Sequence, residues 1–591
     1  MCGIFGIVGS YEAKAARRSL DALAPRGTDG IDSDEGGGYF LGQTRLAIMD
    51  LGLDGGVFAC GAARLVFNGE IYNYRALAEE LGLSHPFAEG DVVLAGLLRQ
   101  CSAFLPRLRG MYSIAFYDGR RLLIARDPVG KKPLFYTLQN NSLIFASEIK
   151  AILPHLGTKS VSKEGINGFF GFLSPVAPHT IYDGVYRLGA GEVLEFDGSQ
   201  YRIERFDTPL APVCDISYDE AVRRTRELFF DSLSLRLSAD VEVGSLLSGG
   251  LDSALVLAAA AKVHGKRLRT FTVGYEGNEA YDERPLARET AEIYGSEHRE
   301  FIFSKSDFFD SLDRYLSYMD EPLSDPAALP LDFLMRGIRD SGIKCVLSGE
   351  GSDEQYYGYR KYSEYVKFEA LKTAPHKGWL RNHLEANIAY NKEWEWYLRA
   401  TKDEPVYRGY GESFLDSQRA RLMPSSAVDS MELLSSVFAE FDGGDYWRWA
   451  SFVDLRTWLD EALLHKVDRV SMANGVEVRA PFLDIEFVKH SFALPSHIKH
   501  PSSPKSFLKD AFADILHPSI TARRKKGFSY PFMEWLRESG DMDVVRRVSR
   551  ESGLFDERNI EFYLKHRKDK GFRHHLWSLY IFSRWYEKRF L

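Results

Sequence analysis

Residues 241–253 read Val-Glu-Val-Gly-Ser-Leu-Leu-Ser-Gly-Gly-Leu-Asp-Ser, and an apolar run from Ala254 to Val263 follows. This order predicts a strand, a tight glycine loop and a helix, which is the unit that builds parallel α/β sheets. Two adjacent glycines let the backbone approach a polyanion, and the N–H groups of the loop and of the helix start point at it. The loop contains no lysine. We therefore expect a phosphate site, and the alternative is a glycine turn that only caps a core helix.

The six residues from Ser248 to Ser253 resemble the pyrophosphate loop of N-type ATP pyrophosphatases, which cleave ATP to AMP and pyrophosphate. Two further strands are predicted at residues 270–275 and 344–347. Residues within the first strand and directly after the second are expected to contact the nucleotide. Mg²⁺ prefers one or two carboxylates together with phosphate oxygens, so Asp252 and Asp353 are its predicted ligands. The resemblance implies that ATP and pyrophosphate are bound by Leu247, Ser248, Gly249, Gly250, Asp252, Ser253, Val273, Ser348 and Gly349.

Residues 464–484 begin Leu-His-Lys-Val-Asp-Arg and end Pro-Phe-Leu-Asp. They closely resemble the synthetase domain of the glutamine-hydrolysing asparagine synthetase family, which implies that Lys466 is catalytic. An ammonium can stabilise the negative charge that develops on the α-phosphate and on the departing pyrophosphate. The alternative is a solvated helix lysine within a surface network. The same resemblance makes Glu350, in the carboxylate-rich loop of residues 348–354, a second catalytic candidate.

The first two hundred residues contain short alternating or apolar runs separated by Gly, Asp and Asn, which predicts a sheet-dominated domain. Cys2 follows the initiator Met, so removal of Met1 would leave a thiol and a free α-amine on one residue. Such an amine has a pKa of roughly 7.7–8.0 and can take the thiol proton during attack on an amide. With residues 26–30, 44–51 and 67–74, the chain resembles the glutaminase domain of class II glutamine amidotransferases.

That resemblance implies that Cys2 is the nucleophile and that Asn68 and the backbone N–H of Gly69 stabilise the oxyanion. A guanidinium suits the α-carboxylate of glutamine, and a carboxylate suits its α-ammonium. For Asn68 and Gly69 the alternative is a hairpin turn, because Asn-Gly is a common turn pair. The residues that the resemblance assigns to glutamine binding are Arg45, Asn68, Glu70 and Asp91.

A chain of 591 residues is long enough for two or more domains. We predict a glutaminase domain over residues 2–205, an αββα sandwich of the Ntn-hydrolase type. Residues 206–591 are predicted to form a doubly wound α/β domain of the ATP-pyrophosphatase (HUP-like) type with helical additions. Its first helix is predicted from Tyr218 to Leu237, and the aromatic stretch from Tyr356 to Trp458 is predicted to be helical.

The composition excludes several classes of protein. The net charge is −8, and the basic run of residues 523–531 is isolated, so no nucleic-acid partner is expected. Five scattered cysteines give no disulfide framework and no zinc motif, which indicates a reducing compartment. No apolar run approaches the roughly 20 residues that span a bilayer. We expect a cytoplasmic protein without a membrane partner, and we consider a homodimer as its assembly.

Together these motifs predict glutamine-dependent amidation of a carboxylate through an acyl-AMP. The expected reaction converts aspartate, glutamine and ATP to asparagine, glutamate, AMP and pyrophosphate, with ammonia carried in a channel between the domains. Residues 320–328 lack the Thr and Arg of the best-known branch and resemble a broad bacterial branch, so a sugar acid or a peptide is the alternative acceptor. A catalytically dead regulatory relative would lack the nucleophile, the loop or the lysine, and all three are present.

Overall fold

The computed structural model describes most of the chain. Met1 and most of the basic run of residues 523–531 lie outside the described ranges. These ranges are residues 2–52, 56–265, 267–277, 281–387, 391–499, 503–523, 530–539 and 541–591.

The N-terminal part contains two antiparallel sheets of six strands each within the described residues. The strand order is β10-β8-β9-β1-β3-β2 in the first sheet and β12-β11-β7-β6-β5-β4 in the second. The bounds are β1 Cys2–Val8, β2 Gly30–Gly36, β3 Tyr39–Arg45, β4 Phe58–Cys60, β5 Ala63–Ile71, β6 Gly110–Tyr117, β7 Leu122–Arg126, β8 Phe135–Gln139, β9 Ser142–Ala146, β10 Tyr186–Arg187, β11 Glu192–Phe196 and β12 Tyr201–Arg205.

The two sheets pack face to face through alternating apolar side chains, among them Ile4, Val66 and Phe145. Helix α1 buries Leu20 against the outer face of the first sheet, and α3 buries Val92 against the second. The result is the predicted αββα sandwich of the Ntn-hydrolase type. The helices of this part are α1 Ala13–Asp21, α2 Tyr74–Leu81, α3 Glu89–Gln100 and α4 Lys163–Phe172.

The C-terminal part is built on a parallel sheet with the order β15-β14-β13-β16-β17. Chain order reverses between β13 and β16, so the loops that follow these two strands flank a crevice at the carboxyl edge, where ligands bind in doubly wound folds. This confirms the predicted doubly wound domain. The strand bounds are β13 Val243–Leu246, β14 Arg269–Tyr275, β15 Glu297–Phe303, β16 Cys345–Leu347 and β17 Glu477–Arg479.

Helices cover both faces of this sheet and form a large addition after β16. The predicted helix from Tyr218 to Leu237 is confirmed as α5. The side chain of Ser217 caps its N-terminus by accepting a hydrogen bond from the Glu220 N–H. The other helices are α6 Leu251–His264, α7 Arg284–Ile293, α8 Lys305–Tyr318, α9 Ala328–Asp340, α10 Ser352–Gln355, α11 Arg360–Glu369, α12 Lys377–Ala386, α13 Lys392–Thr401, α14 Asp416–Leu422, α15 Ser430–Leu433, α16 Ser435–Glu440, α17 Tyr446–Asp454, α18 His465–Ala473, α19 Ile485–Ala493, α20 Ser496–Lys499, α21 Ser506–Ala511, α22 Pro518–Thr521, α23 Phe532–Ser539, α24 Asp543–Ser552, α25 Glu557–Lys565 and α26 Arg573–Phe590.

Helices α17 and α18 are joined without a break by residues Leu455–Leu464, which are wound as a π-helix. Such widened segments are rare and often occur at functional sites. Here the π-helix leads directly into the helix that carries Lys466. Within the described residues, no helix combines the length and the apolar character that crossing a bilayer requires. Short 3₁₀ segments occupy Ala24–Arg26, Cys101–Arg107, Ile149–Ala151, Leu153–His155, Ala370–Thr373, Pro481–Leu483 and Lys570–Phe572.

Candidate active sites

Cys2 lines a pocket in the N-terminal domain. Cys2 opens β1, is only 8% exposed, and pairs in register with Arg45 of β3. The pocket is lined by Cys2, Arg45, Gly69 and Glu70, among others. Four of the predicted glutaminase residues therefore meet around one opening.

Asn68 and Gly69 lie inside strand β5, opposite Ser113 and Tyr112 of β6. The alternative reading of this pair as a hairpin turn is therefore wrong. Asn68 Oδ1 accepts a hydrogen bond from the Cys2 N–H at 3.1 Å, while its buried Nδ2 has no partner among the described residues. An unsatisfied buried donor beside a thiol can stabilise an oxyanion.

Glycine is required at position 69 by both conformation and space. Its φ is +147°, and a Cβ would lie 1.9 Å from the carbonyl oxygen of Met111. Because any side chain would push the two strands apart, this position keeps its backbone accessible beside Cys2.

Gln43 completes the surroundings of the thiol, although the motifs did not indicate it. Its Nε2 donates to Cys2 Sγ at 3.2 Å, and its Oε1 accepts from the N–H of Phe67 at 3.0 Å. Gln43 precedes Arg45 by two residues in β3, so the alternation of side chains along a strand could have placed it on the same face.

The two residues predicted to bind the charged groups of glutamine differ in position. Arg45 lines the pocket, where its Nη2 donates to the carbonyls of Met49 and Asp50 at 3.1 and 2.7 Å. Asp91 is exposed, and its Oδ2 accepts from the Ala88 N–H at 2.9 Å at the start of α3. Asp91 is not among the residues that line the pocket, and its role in binding the ammonium stays a prediction.

Two buried glutamates line the pocket instead. Burial, followed by the charge of Glu477, raises the pKa of Glu70 to about 7. Glu89, which sequence reasoning did not identify, hydrogen-bonds the Ile71 N–H, and its pKa is raised well above the usual range by burial and by Glu70. Burial and neighbouring negative charge therefore favour the protonated forms of both carboxyl groups.

The predicted pyrophosphate loop follows β13 at the crevice of the C-terminal sheet. Gly249 has a φ of +72°, and a Cβ there would lie 2.7 Å from the Cβ of Leu286. Ser253 Oγ accepts from the Ser248 N–H at 3.2 Å, which folds the loop onto the start of α6. The loop thus presents backbone N–H groups at a helix start, as phosphate binding requires.

The remaining nucleotide candidates meet at the same edge of the sheet. Leu247 is buried and its N–H donates to Phe271 O of β14, the strand that also carries Val273. A Cβ on Gly349 would lie 2.9 Å from that of Asp252, so the loop after β16 packs directly on the loop after β13. Leu247, Ser348 and Gly349 therefore adjoin the glycine loop, whose residues include Gly250, and Val273 lies in the neighbouring strand β14.

Asp252 and Asp353 are brought together by Lys505, which no motif indicated. Lys505 is 5% exposed, and its Nζ lies 2.6 Å from Asp252 Oδ2 and 2.6 Å from Asp353 Oδ1. Two neighbouring carboxylates fit Mg²⁺, which takes its other ligands from phosphate and water. Within the described ranges, no group of three or more His, Cys, Asp or Glu residues could hold a metal ion.

Lys466 is buried rather than solvated. It is 6% exposed, and its Nζ pairs with Asp325 Oδ2 at 2.6 Å. The reading of Lys466 as a surface-network lysine is therefore wrong. Ser348 Oγ donates to Glu350 Oε2 at 3.1 Å. Burial raises the pKa of Glu350 against the opposing charge of Lys466, so the two side chains are neighbours.

A second cavity lies between the two parts of the chain. Glu350 lines it on the C-terminal side, and Met111 of β6 lines it on the N-terminal side. Met111 is the register partner of Glu70, which lines the Cys2 pocket. Paired residues of β5 and β6 therefore line the two cavities.

Comparisons with known protein families agree with the division of the chain into an N-terminal and a C-terminal domain. A glutamine amidotransferase domain matches residues 1–207, and an asparagine synthase domain matches residues 224–587. A putative glutamine-hydrolyzing asparagine synthetase of Mycobacterium tuberculosis is 31% identical over 99% of this chain and 97% of that protein.

Two further relatives also align over most of their length. Asparagine synthetase 1 (glutamine-hydrolyzing) of Bacillus subtilis is 28% identical over 100% of this chain and 98% of that protein. A Gibberella zeae protein named amidase chry2 is 25% identical over 88% of this chain and 85% of its own length.

Proposed function

The chain belongs to the glutamine-hydrolysing asparagine synthetase family, and from this premise we propose that it amidates aspartate with glutamine and ATP. The products are asparagine, glutamate, AMP and pyrophosphate. The observation that carries the proposal is the pairing, in one chain, of a buried thiol pocket with a phosphate-type loop at a sheet crevice. The alternative acceptor is another carboxylate, a sugar acid or a peptide, because residues 320–328 depart from the best-known branch.

Glutamine hydrolysis uses the groups around Cys2. After Met1 is removed, the α-amine of Cys2 accepts the thiol proton while Sγ attacks the amide carbon of glutamine. Asn68 Nδ2 and the Gly69 N–H donate to the oxyanion that forms. The α-ammonium returns its proton to the leaving nitrogen, ammonia departs, and water hydrolyses the thioester to glutamate.

Only unprotonated ammonia is a nucleophile. In the proposed route, ammonia therefore passes to the second site without contact with bulk water. The cavity lined by Met111 and Glu350 supports this route. Met111 is the register partner of Glu70, which lines the Cys2 pocket.

The acceptor is activated by ATP in the crevice. One carboxylate oxygen attacks the α-phosphorus, which forms an acyl-AMP, and pyrophosphate departs toward the loop of residues 247–253. Lys466 stabilises the negative charge on the phosphorus and on the leaving group. Asp252 and Asp353 would hold Mg²⁺, which supplies charge neutralisation for the phosphates.

Ammonia finally attacks the acyl carbon, and AMP leaves. Glu350 is positioned near Lys466 with a pKa raised by burial, so its carboxylate accepts the proton that the attacking nitrogen loses. The new C–N bond replaces the C–O bond to AMP.

The proposal is tested by pyrophosphate release from ATP in the presence of glutamine and a panel of acids that includes aspartate, glutamate and uronic acids. Release that is stimulated by aspartate supports the proposed reaction. Stimulation by another acid alone supports the alternative acceptor. Absence of both glutamate and pyrophosphate release would indicate the dead regulatory relative.

A further inference from the structure

Arg187 of the N-terminal domain contacts three segments of the C-terminal domain at once. It ends β10, and its side chain is buried. Its guanidinium forms ion pairs with Glu321 and Glu461, and its Nη2 lies 2.6 Å from Nδ1 of His465. Glu321 belongs to the loop after α8, Glu461 to the π-helix and His465 to the start of α18. One planar side chain therefore joins three elements that are distant in sequence.

Two of these three segments carry the ion pair of the proposed adenylation site. Lys466 follows His465 directly, and Asp325 lies four residues after Glu321. Lys466 Nζ and Asp325 Oδ2 are 2.6 Å apart. The helix and the loop are therefore joined twice, once by Arg187 and once by the Lys466–Asp325 pair.

The contact with His465 fixes the imidazole as well as the helix. An arginine side chain carries only donors, so Nδ1 of His465 accepts this hydrogen bond. Burial, and then the charge of Arg187, lowers the pKa of His465 well below its usual range. The ring is therefore neutral and carries its proton on Nε2. A lysine would not replace Arg187 here, because a compact ammonium does not present a planar set of donors to three partners.

The N-terminal domain holds the loop of residues 320–325 by further contacts. The Ile181 N–H donates to Glu321 Oε2 at 3.2 Å, and the Tyr182 hydroxyl donates to the carbonyl of Asp320 at 3.2 Å. These contacts lie on the side of the loop that precedes Asp325. The place of Asp325, and with it the ion pair of Lys466, therefore depends on the N-terminal domain.

The exact place of an ammonium decides how well it stabilises a transition state. Preorganised charge acts only where the negative charge develops, which for Lys466 is the proposed position of the α-phosphate. A misplacement of about 1 Å can lower a rate roughly a hundredfold. The groups that fix α18 against the Asp325 loop can therefore control the rate without contact with the substrate.

We propose that Arg187 is a positioning residue for adenylation. It holds the helix of Lys466 and the loop of Asp325 in one fixed arrangement, and it makes that arrangement depend on the N-terminal domain. Arg187 acts through Lys466 and is assigned no contact with substrate. This inference rests on the proposed function, in which Lys466 stabilises charge on the α-phosphate and on pyrophosphate.

Arg187→Met removes the charge and keeps a long side chain. With ammonia as the nitrogen donor, the glutamine site does not enter the measurement. We expect kcat for pyrophosphate release to fall about thirtyfold or more, because Lys466 loses its position, while KM for ATP changes less than about threefold. Glutamate release from glutamine should stay within about twofold of the wild-type rate. An unchanged kcat overturns the inference and leaves the proposed function intact.

Arg126→Met is the matched control. Arg126 is also a buried arginine of the N-terminal domain, and its Nη2 pairs with Asp460 Oδ1 of the π-helix at 2.6 Å. Both variants remove a buried cation from the same domain interface, so urea unfolding should show a similar loss of stability. Only Arg187→Met should lower kcat by more than about threefold. Equal losses of kcat in the two variants would indicate a general effect of the interface and overturn the inference.

Combination with Lys466→Ala separates positioning from a merely structural role. If Arg187 acts through Lys466, Arg187→Met should lower pyrophosphate release less than about threefold once Lys466 is already alanine. The rates are measured with enzyme in excess over ATP, so that slow release remains detectable. If the losses of the two single variants multiply in the double variant, Arg187 acts independently of Lys466 and the inference is overturned.

Chemical labelling of Lys466 gives a readout that does not depend on turnover. Its side chain is 6% exposed, so acetic anhydride should label it slowly in the wild-type protein and in Arg126→Met. Labelling should be about fivefold faster or more in Arg187→Met, as mass spectrometry of the Lys466 peptide measures. If labelling follows this pattern while wild type releases no pyrophosphate with any acid, the positioning of Lys466 stands and the proposed function fails. Equal labelling in all three proteins overturns the inference.

Discussion

Arg26 of the N-terminal domain and Asp468 of the C-terminal domain form a buried bidentate ion pair, with N–O distances of 2.7 and 3.1 Å. The Nε of the same guanidinium donates to the Cys2 carbonyl at 3.2 Å. Asp468 lies two residues after Lys466 in α18. One planar side chain therefore joins the strand of the proposed nucleophile to the helix of the proposed adenylation lysine.

Asp468→Asn should destabilise the protein, because it leaves the buried guanidinium of Arg26 with only Glu148 as an anionic partner, at 2.9 Å. Breaking a buried pair by removing one partner costs about 3 to 5 kcal/mol, which urea unfolding can measure. Glu220→Gln, which removes one of the two exposed acidic partners of Arg223, is the control and should leave the unfolding midpoint unchanged. Equal midpoints for Asp468→Asn and wild type would contradict a structural role for the pair.

Cys2→Ala should abolish glutamine-dependent synthesis and spare synthesis from added ammonia. The substitution removes the nucleophile from the first pocket and leaves the crevice of the second domain unaltered. Product formation with each nitrogen donor is the measurement, and Cys60→Ala is the control because Cys60 is exposed. Glutamate release that persists in Cys2→Ala would refute the N-terminal assignment. Blocking the removal of Met1 should have the same effect as Cys2→Ala, since the α-amine would be tied up in a peptide bond.

Lys505→Met should tighten the binding of Mn²⁺, used as a probe for Mg²⁺, by about tenfold in the absence of nucleotide. The ammonium of Lys505 lies between Asp252 and Asp353, so a divalent cation must displace it. Calorimetric titration measures the affinity. Lys509→Met, one helical turn further along, is the control. Weaker or unchanged binding in Lys505→Met would mean that these carboxylates are not the metal ligands.

Lys466→Ala should lower pyrophosphate release at least a hundredfold, which corresponds to about 3 kcal/mol of lost charge stabilisation. Glutamate release from glutamine should continue at its basal rate, because hydrolysis of glutamine generates no charge at phosphorus. Lys466→Arg should restore little of the pyrophosphate release, since a planar guanidinium does not replace a compact ammonium on a flexible side chain. Near wild-type pyrophosphate release in folded Lys466→Ala would show that the family role does not apply at this position.

Local sequence was sufficient for the elements whose pattern is complete within a few residues. The strand, loop and helix around Gly249 and Gly250 follow from an apolar run, two glycines and a second apolar run. The helix from Tyr218 to Leu237 follows from a serine cap and acidic residues in its first turn. The Asn68-Gly69 pair was ambiguous because the same two residues are common in turns. Only its pairing with β6 shows that it lies within a strand.

Residues that reach a site from distant segments could not be predicted in this way. Lys505 meets Asp252 across 253 positions, and Asp325 meets Lys466 across 141. Such contacts depend on how the elements pack rather than on a spacing in the chain. Asp91 illustrates the opposite case, because the first turn of a helix attracts an acidic residue for capping whatever its other role.

The path of a single oxygen atom tests the two-site account most directly. The acid that supports pyrophosphate release is labelled with ¹⁸O in its carboxyl group and incubated with ATP and glutamine, and the AMP is analysed by mass spectrometry. Attack of the carboxylate on the α-phosphorus, followed by attack of ammonia on the acyl carbon, leaves one labelled oxygen on AMP. The account predicts one ¹⁸O in each AMP and one glutamate for each AMP formed. Unlabelled AMP, or ADP with labelled orthophosphate, would contradict it.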